Sequence, residues 1–352
     1  MPGFDVGFHS FCYALLDAAR LSATIICTIT ITISISRPQQ EPAMPQIASF
    51  DDVKSKRTER QIPTGTAWRT SFIDPDANDP TSPQAFLVEG TAGRVIRPHF
   101  HDHDQYQVVV SGGGVLGKHE LQVNAVHFSR RHTPYGPIVF GEQQLGFLTL
   151  RAHKDAGAQY LDEPEKRIKL TTLENRKPWQ ATELPKFEPT TPDAALHTFT
   201  DLQDEEGLAS FSLSVAPNAH ALAPDPAHSN GQYLIIVRGS LHYEHKEYKA
   251  LSVAFVKPQE GPFKLIAGTE GLDVLVLHFP RAIAAAAAPQ AAKGAPGTRT
   301  WQCMLCAFVY DEARGMPHDG VAPGTPWEDV PESWFCPDCS ASKSDFVMAL
   351  VE

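Results

Sequence analysis

A chain of 352 residues with 42% hydrophobic and 9% aromatic residues carries enough apolar surface for two or three packed domains, which excludes disorder for most of its length. Its formal charge of −11, from 41 Asp and Glu against 30 Lys and Arg, offers no field attractive to phosphate, so nucleic-acid binding is not expected, while small ligands and basic protein partners stay open. Six cysteines are too few for a disulfide-built secreted scaffold, and four of them form two C-x-x-C pairs near the C-terminus, an arrangement that asks for a metal.

Residues 1–43 differ in character from the rest. Positions 21–36 alternate Ile with Thr or Ser, and the run is closed off by Asp17 and Arg20 before it reaches the about 20 largely apolar residues of a helical membrane span. An acidic start (Asp5) and a run half composed of Thr and Ser do not suit a signal peptide either. Met44 precedes a polar stretch that leads directly into the first patterned strands. The expectation is a cytoplasmic protein whose natural product starts there, with 1–43 as translated upstream sequence. Cys12 and Cys27 have no partner spacing and read as ordinary thiols.

From about 65 to 280 the chain consists of short β-patterned runs between Gly, Pro and Asn/Asp turns, such as 107–111, 146–150, 207–215, 232–237 and 272–279. Many short strands with regular turn signals predict a sandwich or barrel. A constant spacing of 127 residues pairs His101 with His228, Gln105 with Gln232, Tyr106 with Tyr233, Gly112 with Gly239, Phe128 with Phe255 and Gly141 with Gly268. A gapless run of identities at one offset predicts a duplicated β-domain with its copies packed together. Residues 282–298, rich in Ala, Pro and Gly, supply no core; extended at about 3.1 Å per residue they would span roughly 50 Å as a tether.

Beyond this linker, Cys303-x-x-Cys306 and Cys336-x-x-Cys339 bring four soft thiolates to one centre, the S₄ set that suits iron or zinc. Spacing alone does not separate the two metals. The residues between them do: Tyr310-Asp311, Gly320, the run Pro-Gly-Thr-Pro-Trp-Glu-Asp-Val-Pro at 323–331, Trp334, Cys336-Pro337-Asp338-Cys339 and Lys343-x-x-Phe346. Over 300–349 the chain resembles rubredoxin. The resemblance implies mononuclear Fe(Cys)₄ at Cys303, Cys306, Cys336 and Cys339, one-electron transfer, and a reductase or oxygenase partner. A unit this small needs the metal as a staple, with Tyr310, Trp327, Trp334 and Phe346 shielding the sulfurs. Ala307 and Ser340 depart from the family's Gly after the second and fourth cysteines, which bears on the N–H···S bonds and the potential.

In the first β-copy, Gly93 is followed by His99, His101, Gln105 and Gly112. Histidines two apart on an extended strand point to one face. The spacing resembles the first cupin motif, G-x5-H-x-H-x3-E-x6-G, with Gln105 in place of Glu. The implied fold is mainly β: two cupin jelly-roll barrels plus the rubredoxin-like domain. The expected layout is an extension at 1–43, a first barrel at 60–155, a connector and start of the repeat at 156–200, a degenerate second barrel at 201–281, the linker at 282–298 and the cysteine module at 299–352. Cupins often pair through barrel faces, so a homodimer is implied as well.

Where the cupin pattern supplies a later His, this chain has Tyr135 or Val139, with His132 or His127 as substitutes, and Gln105 removes a negative charge. Two readings of the first barrel therefore stay open: Fe(II) or another divalent metal at His99, His101, Gln105 and His132, or histidines that bind an anion or simply hydrogen-bond. His103 shares their strand face by spacing, but beside Asp102 and Asp104 it also fits a solvated loop. The second copy has Pro226 where the first has His99, so His228 and Gln232 cannot hold a metal and this copy is expected to be structural; His220, His242, His245 and His278 have no ligand spacing. No dinucleotide, phosphate-loop or hydrolase motif is present, which makes the electron source another protein. Function follows as electron transfer by the module, joined either to an iron oxygenase for a small organic substrate or to a non-catalytic ligand-binding or dimerisation platform.

Residues 299–352 hold nine acids against Arg299, Arg314 and Lys343, a net of −6. Such a face steers a basic partner. In stopped-flow reduction by a basic reductase, the rate is expected to fall steeply as ionic strength rises; a rate indifferent to salt would show that charge steering plays no part.

Overall fold

Runs such as Gln105–Ser111 and Leu145–Arg151 are rich in β-branched and aromatic residues, and between them the chain turns at glycines where a side chain would collide with neighbouring backbone. Gly112 has φ +69°, and a Cβ there would lie 1.4 Å from the Gln144 carbonyl oxygen; its repeat partner Gly239 has φ +72° and meets the Gly271 carbonyl oxygen at 1.9 Å. The duplication thus kept the residue that the turn requires.

The computed structural model describes residues 5–16, 23–34, 45–117, 119–173, 178–188, 194–281, 299–303, 308–337, 343 and 348–351. It divides into two units, 1–43 and 44–352. In the first, strands Asp5–Leu16 and Ala23–Ser34 pair antiparallel, with Cys12 directly opposite Cys27 in the register. The two cysteines that spacing left without partners are therefore cross-strand neighbours. No helix among the described residues is long and apolar enough to cross a membrane.

The second unit contains the expected pair of barrels and a small C-terminal β-module. Barrel 1 has a seven-stranded antiparallel sheet, in the order Gln180–Glu183, Val126–Ser129, Gln105–Ser111, Leu145–Arg151, Gln84–Gly90, Gly65–Ile73 and Thr58–Ile62. A four-stranded sheet, His119–Leu121, Gly114–Leu116, Ile138–Phe140 and Val95–Ile96, supplies the rest of its wall. Barrel 2 is built on the order Ala195–Gln203, Ala209–Val215, Lys264–His278, Gln232–Tyr243, Ser252–Val256 and Gln46–Ser49.

The edge strands are exchanged. Gln46–Ser49, which precedes barrel 1 in the chain and lies before position 60, pairs with Ser252–Val256 of barrel 2; Gln180–Glu183, which precedes the second copy, pairs with Val126–Ser129 of barrel 1. Each copy's leading strand closes the other copy's sheet, leaving fewer unpaired backbone edges.

Strand alternation divides the labour of each sheet. The outward faces merge into one core that joins Tyr106, Val108, Phe128, Leu148 and Leu150 of barrel 1 to Tyr233, Ile235, Phe255, Leu275 and Leu277 of barrel 2. The interface keeps the symmetry of the repeat: the Tyr106 hydroxyl donates to the His278 carbonyl at 3.0 Å, and its counterpart Tyr233 donates to the Arg151 carbonyl at 2.9 Å. The inward face of barrel 2 is apolar, with Leu234, Ile236, Ala254, Val256 and Val276 packed together. At the matching positions barrel 1 carries Gln107, Val109, His127, Ser129 and Thr149, which confines its own apolar interior to a cluster around Val109, Tyr135, Ile138, Phe140 and Phe147. A single helix of more than one turn, Pro164–Thr172, follows barrel 1 among the described residues.

Phe279 sits at the centre of the shared core, with ring centroids 5.1 Å from Tyr106 and 6.0 Å from Tyr233. Phe279→Ala should cost about 3–5 kcal/mol in urea unfolding, whereas Leu222→Ala, at a side chain 64% exposed, should stay within about 0.5 kcal/mol. Equal effects would mean that the barrels do not share a core.

Candidate functional site

The polar inner face of barrel 1 gathers side chains from five separate segments. His99 lies on the short strand His99–Phe100, which bridges to Tyr135 by reciprocal backbone hydrogen bonds of 3.1 and 3.0 Å. His101 follows it. Gln105 opens Gln105–Ser111, His127 lies on Val126–Ser129, and Arg151 closes Leu145–Arg151. His99, His101, Gln105, His127, Tyr135 and Arg151 are all buried.

Their hydrogen bonds run in one direction. The His99 Nδ1–H donates to the Arg97 carbonyl at 2.7 Å, which leaves Nε2 to accept from the Tyr135 hydroxyl at 3.0 Å. That hydroxyl accepts in turn from the Gln105 amide nitrogen, and the Gln105 carbonyl accepts from Arg151 Nη2 at 2.8 Å and Nε at 3.1 Å. Arg151 Nη1 donates to Gln84 Oε1 at 2.7 Å, while Nη2 lies 3.2 and 3.4 Å from the two ring nitrogens of His101. His101 Nδ1 donates to Asp155 at 2.8 Å.

Burial governs the charge states. It pushes His99 down to about 3, with His101 and Arg151 adding to the effect, and it pushes His127 down to about 3, with a smaller contribution from His119. His101 is lowered by burial against the opposing pull of Asp155, and Tyr135 is raised by burial. Burial works against ionised Asp155, but the hydrogen bonds from His101 and His103 and the nearby Arg151 charge hold it below the usual carboxylate range. The interior is thus one guanidinium and one carboxylate among neutral imidazoles.

The structure brings three of the four proposed metal ligands, His99, His101 and Gln105, to one place, and it turns His132 elsewhere. His132 has φ +59°, and its Nε2 lies 3.1 Å from Asp102, which also pairs with Lys169 of helix Pro164–Thr172 at 2.6 Å. His103 is half-buried with Nδ1 3.4 Å from Asp155. Among the described residues no three His, Cys, Asp or Glu side chains are placed to hold a metal ion. The donor set explains this: His99 Nε2 is engaged by Tyr135, the Gln105 oxygen by Arg151, and a guanidinium lies against His101. In barrel 2, His228 is exposed, while Gln232 and His278 pair at 2.7 Å.

Arg151 and Asp155 were not picked out by spacing. The signal available was a polar residue at an inward position of an apolar strand, Gly-Phe-Leu-Thr-Leu-Arg, matched by His278 in the repeat.

In the C-terminal module, strands Val309–Asp311, Thr300–Cys303 and Met348–Val351 form one sheet. Cys303 and Cys336, one from each C-x-x-C pair, are buried in a single apolar cluster with Tyr310, Val321, Val330 and Trp334. Soft sulfur donors in a water-poor aromatic setting fit an iron centre. Trp327 and Trp334 pack edge to face at 5.5 Å, and Glu312 accepts from the Trp301 ring N–H at 2.7 Å and the Trp327 backbone N–H at 3.0 Å. Cys306, Cys339, Ala307, Ser340, Phe346 and the linker lie outside the described residues.

The same cluster includes Phe100, Leu161 and Leu170 of barrel 1 and its following helix. Alternation accounts for this: His99 and His101 turn inward, so Phe100 between them turns out, toward the module.

Neutral burial of His127 has a pH signature. Free imidazole titrates near 6.5, so the stability gained by burying a neutral His127 is complete above about pH 6.5 and is lost progressively as pH falls toward 3, at about 1.4 kcal/mol per unit; His99 adds a similar slope. His127→Gln should flatten urea-derived stability against pH between 6.5 and 4 by that single-histidine slope. An unchanged profile would mean that His127 is protonated in the folded chain.

A family model described as rubredoxin matches residues 300–346. The chain is 58% identical over 50 residues to a rubredoxin of Acinetobacter baylyi, spanning 14% of this chain and 93% of that protein. It is 59% identical over 54 residues to Rubredoxin 4 of a Rhodococcus species, spanning 15% and 90%. Among solved structures, oxalate decarboxylase from Bacillus subtilis at pH 4.6 aligns with a TM-score of 0.45 at 14% identity, covering 69% of this chain and 78% of that one. A Nostoc punctiforme protein provisionally described as a dioxygenase aligns with a TM-score of 0.48 at 14% identity, covering 73% and 90%. With its cysteine pairs, its aromatic shield and the two rubredoxin relatives in agreement, the chain belongs, through residues 300–346, to the rubredoxin family.

Proposed function

We propose that this protein passes single electrons between a reductase and a separate acceptor enzyme, and that its bicupin body is a ligand-binding platform whose chamber is barrel 1. Iron held by Cys303, Cys306, Cys336 and Cys339 supplies one-electron chemistry without exchange of ligands. Trp334, Trp327 and Tyr310 exclude water around the sulfurs and lower the local dielectric. The acidic surface of the module favours a basic partner in the cytoplasm.

The observation that carries the choice of platform over oxygenase is Arg151. A barrel oxygenase needs His99, His101, Gln105 and a further ligand with their lone pairs directed at one point. Here the Gln105 oxygen is taken up by Arg151 and the His99 nitrogen by Tyr135. The cluster that unites Phe100 with Cys303 and Cys336 supports a module seated against the chamber wall rather than one swinging free.

Elemental analysis with a visible spectrum of the purified chain tests this reading. One iron per chain is expected, with Cys303→Ser or Cys336→Ser abolishing the red absorption and His99→Ala leaving the count unchanged. Two irons per chain, one of them lost in His99→Ala, would favour the oxygenase instead.

A further inference from the structure

We infer that Arg151 is the resident cation of barrel 1: its guanidinium takes the place of a metal ion and receives the carboxylate of a small organic acid. This deepens, and rests on, the reading of barrel 1 as a ligand chamber.

Two unspent capacities in the chamber point to such a ligand. First, Arg151 is 3% exposed, yet its partners are all uncharged: Nε and Nη2 donate to Gln105 Oε1, Nη1 donates to Gln84 Oε1, and Nη2 also faces the neutral His101 ring, which leaves one Nη1–H without an acceptor in hydrogen-bond reach among the described residues. The carboxylate of Asp155 stands 3.7 Å from Nη1, beyond hydrogen-bond reach. Asp155 is spent on the His101 ring, the Gly157 N–H at 2.8 Å and the Asp102 N–H at 3.2 Å. A buried guanidinium has five N–H donors in a planar fork that matches a carboxylate, and one without a hydrogen-bonded counter-charge is poised to take an anion. Second, His127 is buried with Nδ1 2.9 Å from Thr182 Oγ1, while its Nε2 has no hydrogen-bond partner. Its ring lies 5.3 Å from that of Tyr135, inside the same cluster. An unpartnered buried nitrogen is costly unless a ligand satisfies it.

The same geometry opposes a divalent ion. A metal at His99 and His101 would face the Arg151 charge at close range, in a medium that screens poorly. The duplicated copy shows which parts belong to the chamber: barrel 2 keeps Gln232 but replaces Arg151 with His278 and His127 with Ala254, and its inner face is apolar.

The test uses the full chain, with benzoate and acetate as probes in calorimetric titration. Wild type should bind at least one of them. Arg151→Gln should weaken that affinity about ten-fold or more, and Arg151→Lys, which keeps the charge but not the fork, should restore part of it. His127→Ala, which leaves the guanidinium in place, should also weaken binding, so the result does not hang on the folding of one variant. No binding of either probe to wild type, or equal affinity in Arg151→Gln, overturns the inference. So does Mn(II) uptake by wild type that disappears in His101→Ala. The two readings fail separately: a preparation lacking iron yet binding benzoate through Arg151 supports the carboxylate site and overturns the electron-transfer reading.

Discussion

A guanidinium cannot be left dry inside a β-barrel: it stays charged at any ordinary pH, so each face it presents has to meet an oxygen or another compensating group. In barrel 1 Gln84, Gln105 and the His101 ring meet part of that demand, and Asp155 at 3.7 Å balances the charge without a hydrogen bond. Meeting it organises the rest of the interior. Gln105 turns its oxygen toward Arg151 and therefore its nitrogen toward Tyr135, Tyr135 then donates to His99, and His99 locks onto the Arg97 carbonyl. Burial keeps the histidine pair neutral, while His99 is oriented by a chain that begins at the arginine and His101 by Asp155. A conventional metal site would need the same atoms free.

That interior is tolerable because the barrels keep their apolar content elsewhere. The outer faces of the two main sheets make one continuous core, and the exchanged strands Gln46–Ser49 and Gln180–Glu183 tie each barrel to the other's edge. Barrel 2 fills its own interior with Leu, Ile and Val, and this packing contributes stability. Barrel 1 is thereby released from the need to be apolar inside. The two copies thus differ in their inner faces, apolar side chains filling barrel 2 where barrel 1 carries Gln107, His127, Ser129 and Thr149.

The third part of the molecule is connected to the site through one residue of a strand. Phe100 faces the apolar cluster of Cys303 and Cys336 while its neighbours face the chamber, so occupancy of the chamber and the surroundings of the cysteine centre share a wall. Lys169 and Asp102 brace the bend that follows this strand against helix Pro164–Thr172, whose Leu170 belongs to that cluster. The module is seated on the body despite a connection whose composition suits a long tether.

The amino-acid sequence by itself determined what depends on local spacing and chemistry. Two C-x-x-C pairs specify a four-sulfur metal centre, and the residues between them, such as Tyr310, the run at 323–331 and Trp334, specify the iron module rather than a zinc site. Identities at a constant offset disclosed the two barrels, because turn glycines such as Gly112 and Gly239 must persist in both copies. The alternation of His99 and His101 was also legible, since an extended strand has a period of two. What only the tertiary structure decided is which distant side chains meet. His132 lay at a plausible distance in the chain but turns to Asp102; Arg151 and Asp155, remote in sequence from the histidines, close around them; Cys12 and Cys27 become cross-strand neighbours. The physical reason is that a barrel wall juxtaposes residues through strand order and register, set by hydrogen bonding across the sheet and by burial of the outer faces, and neither quantity is written in the spacing of any one motif.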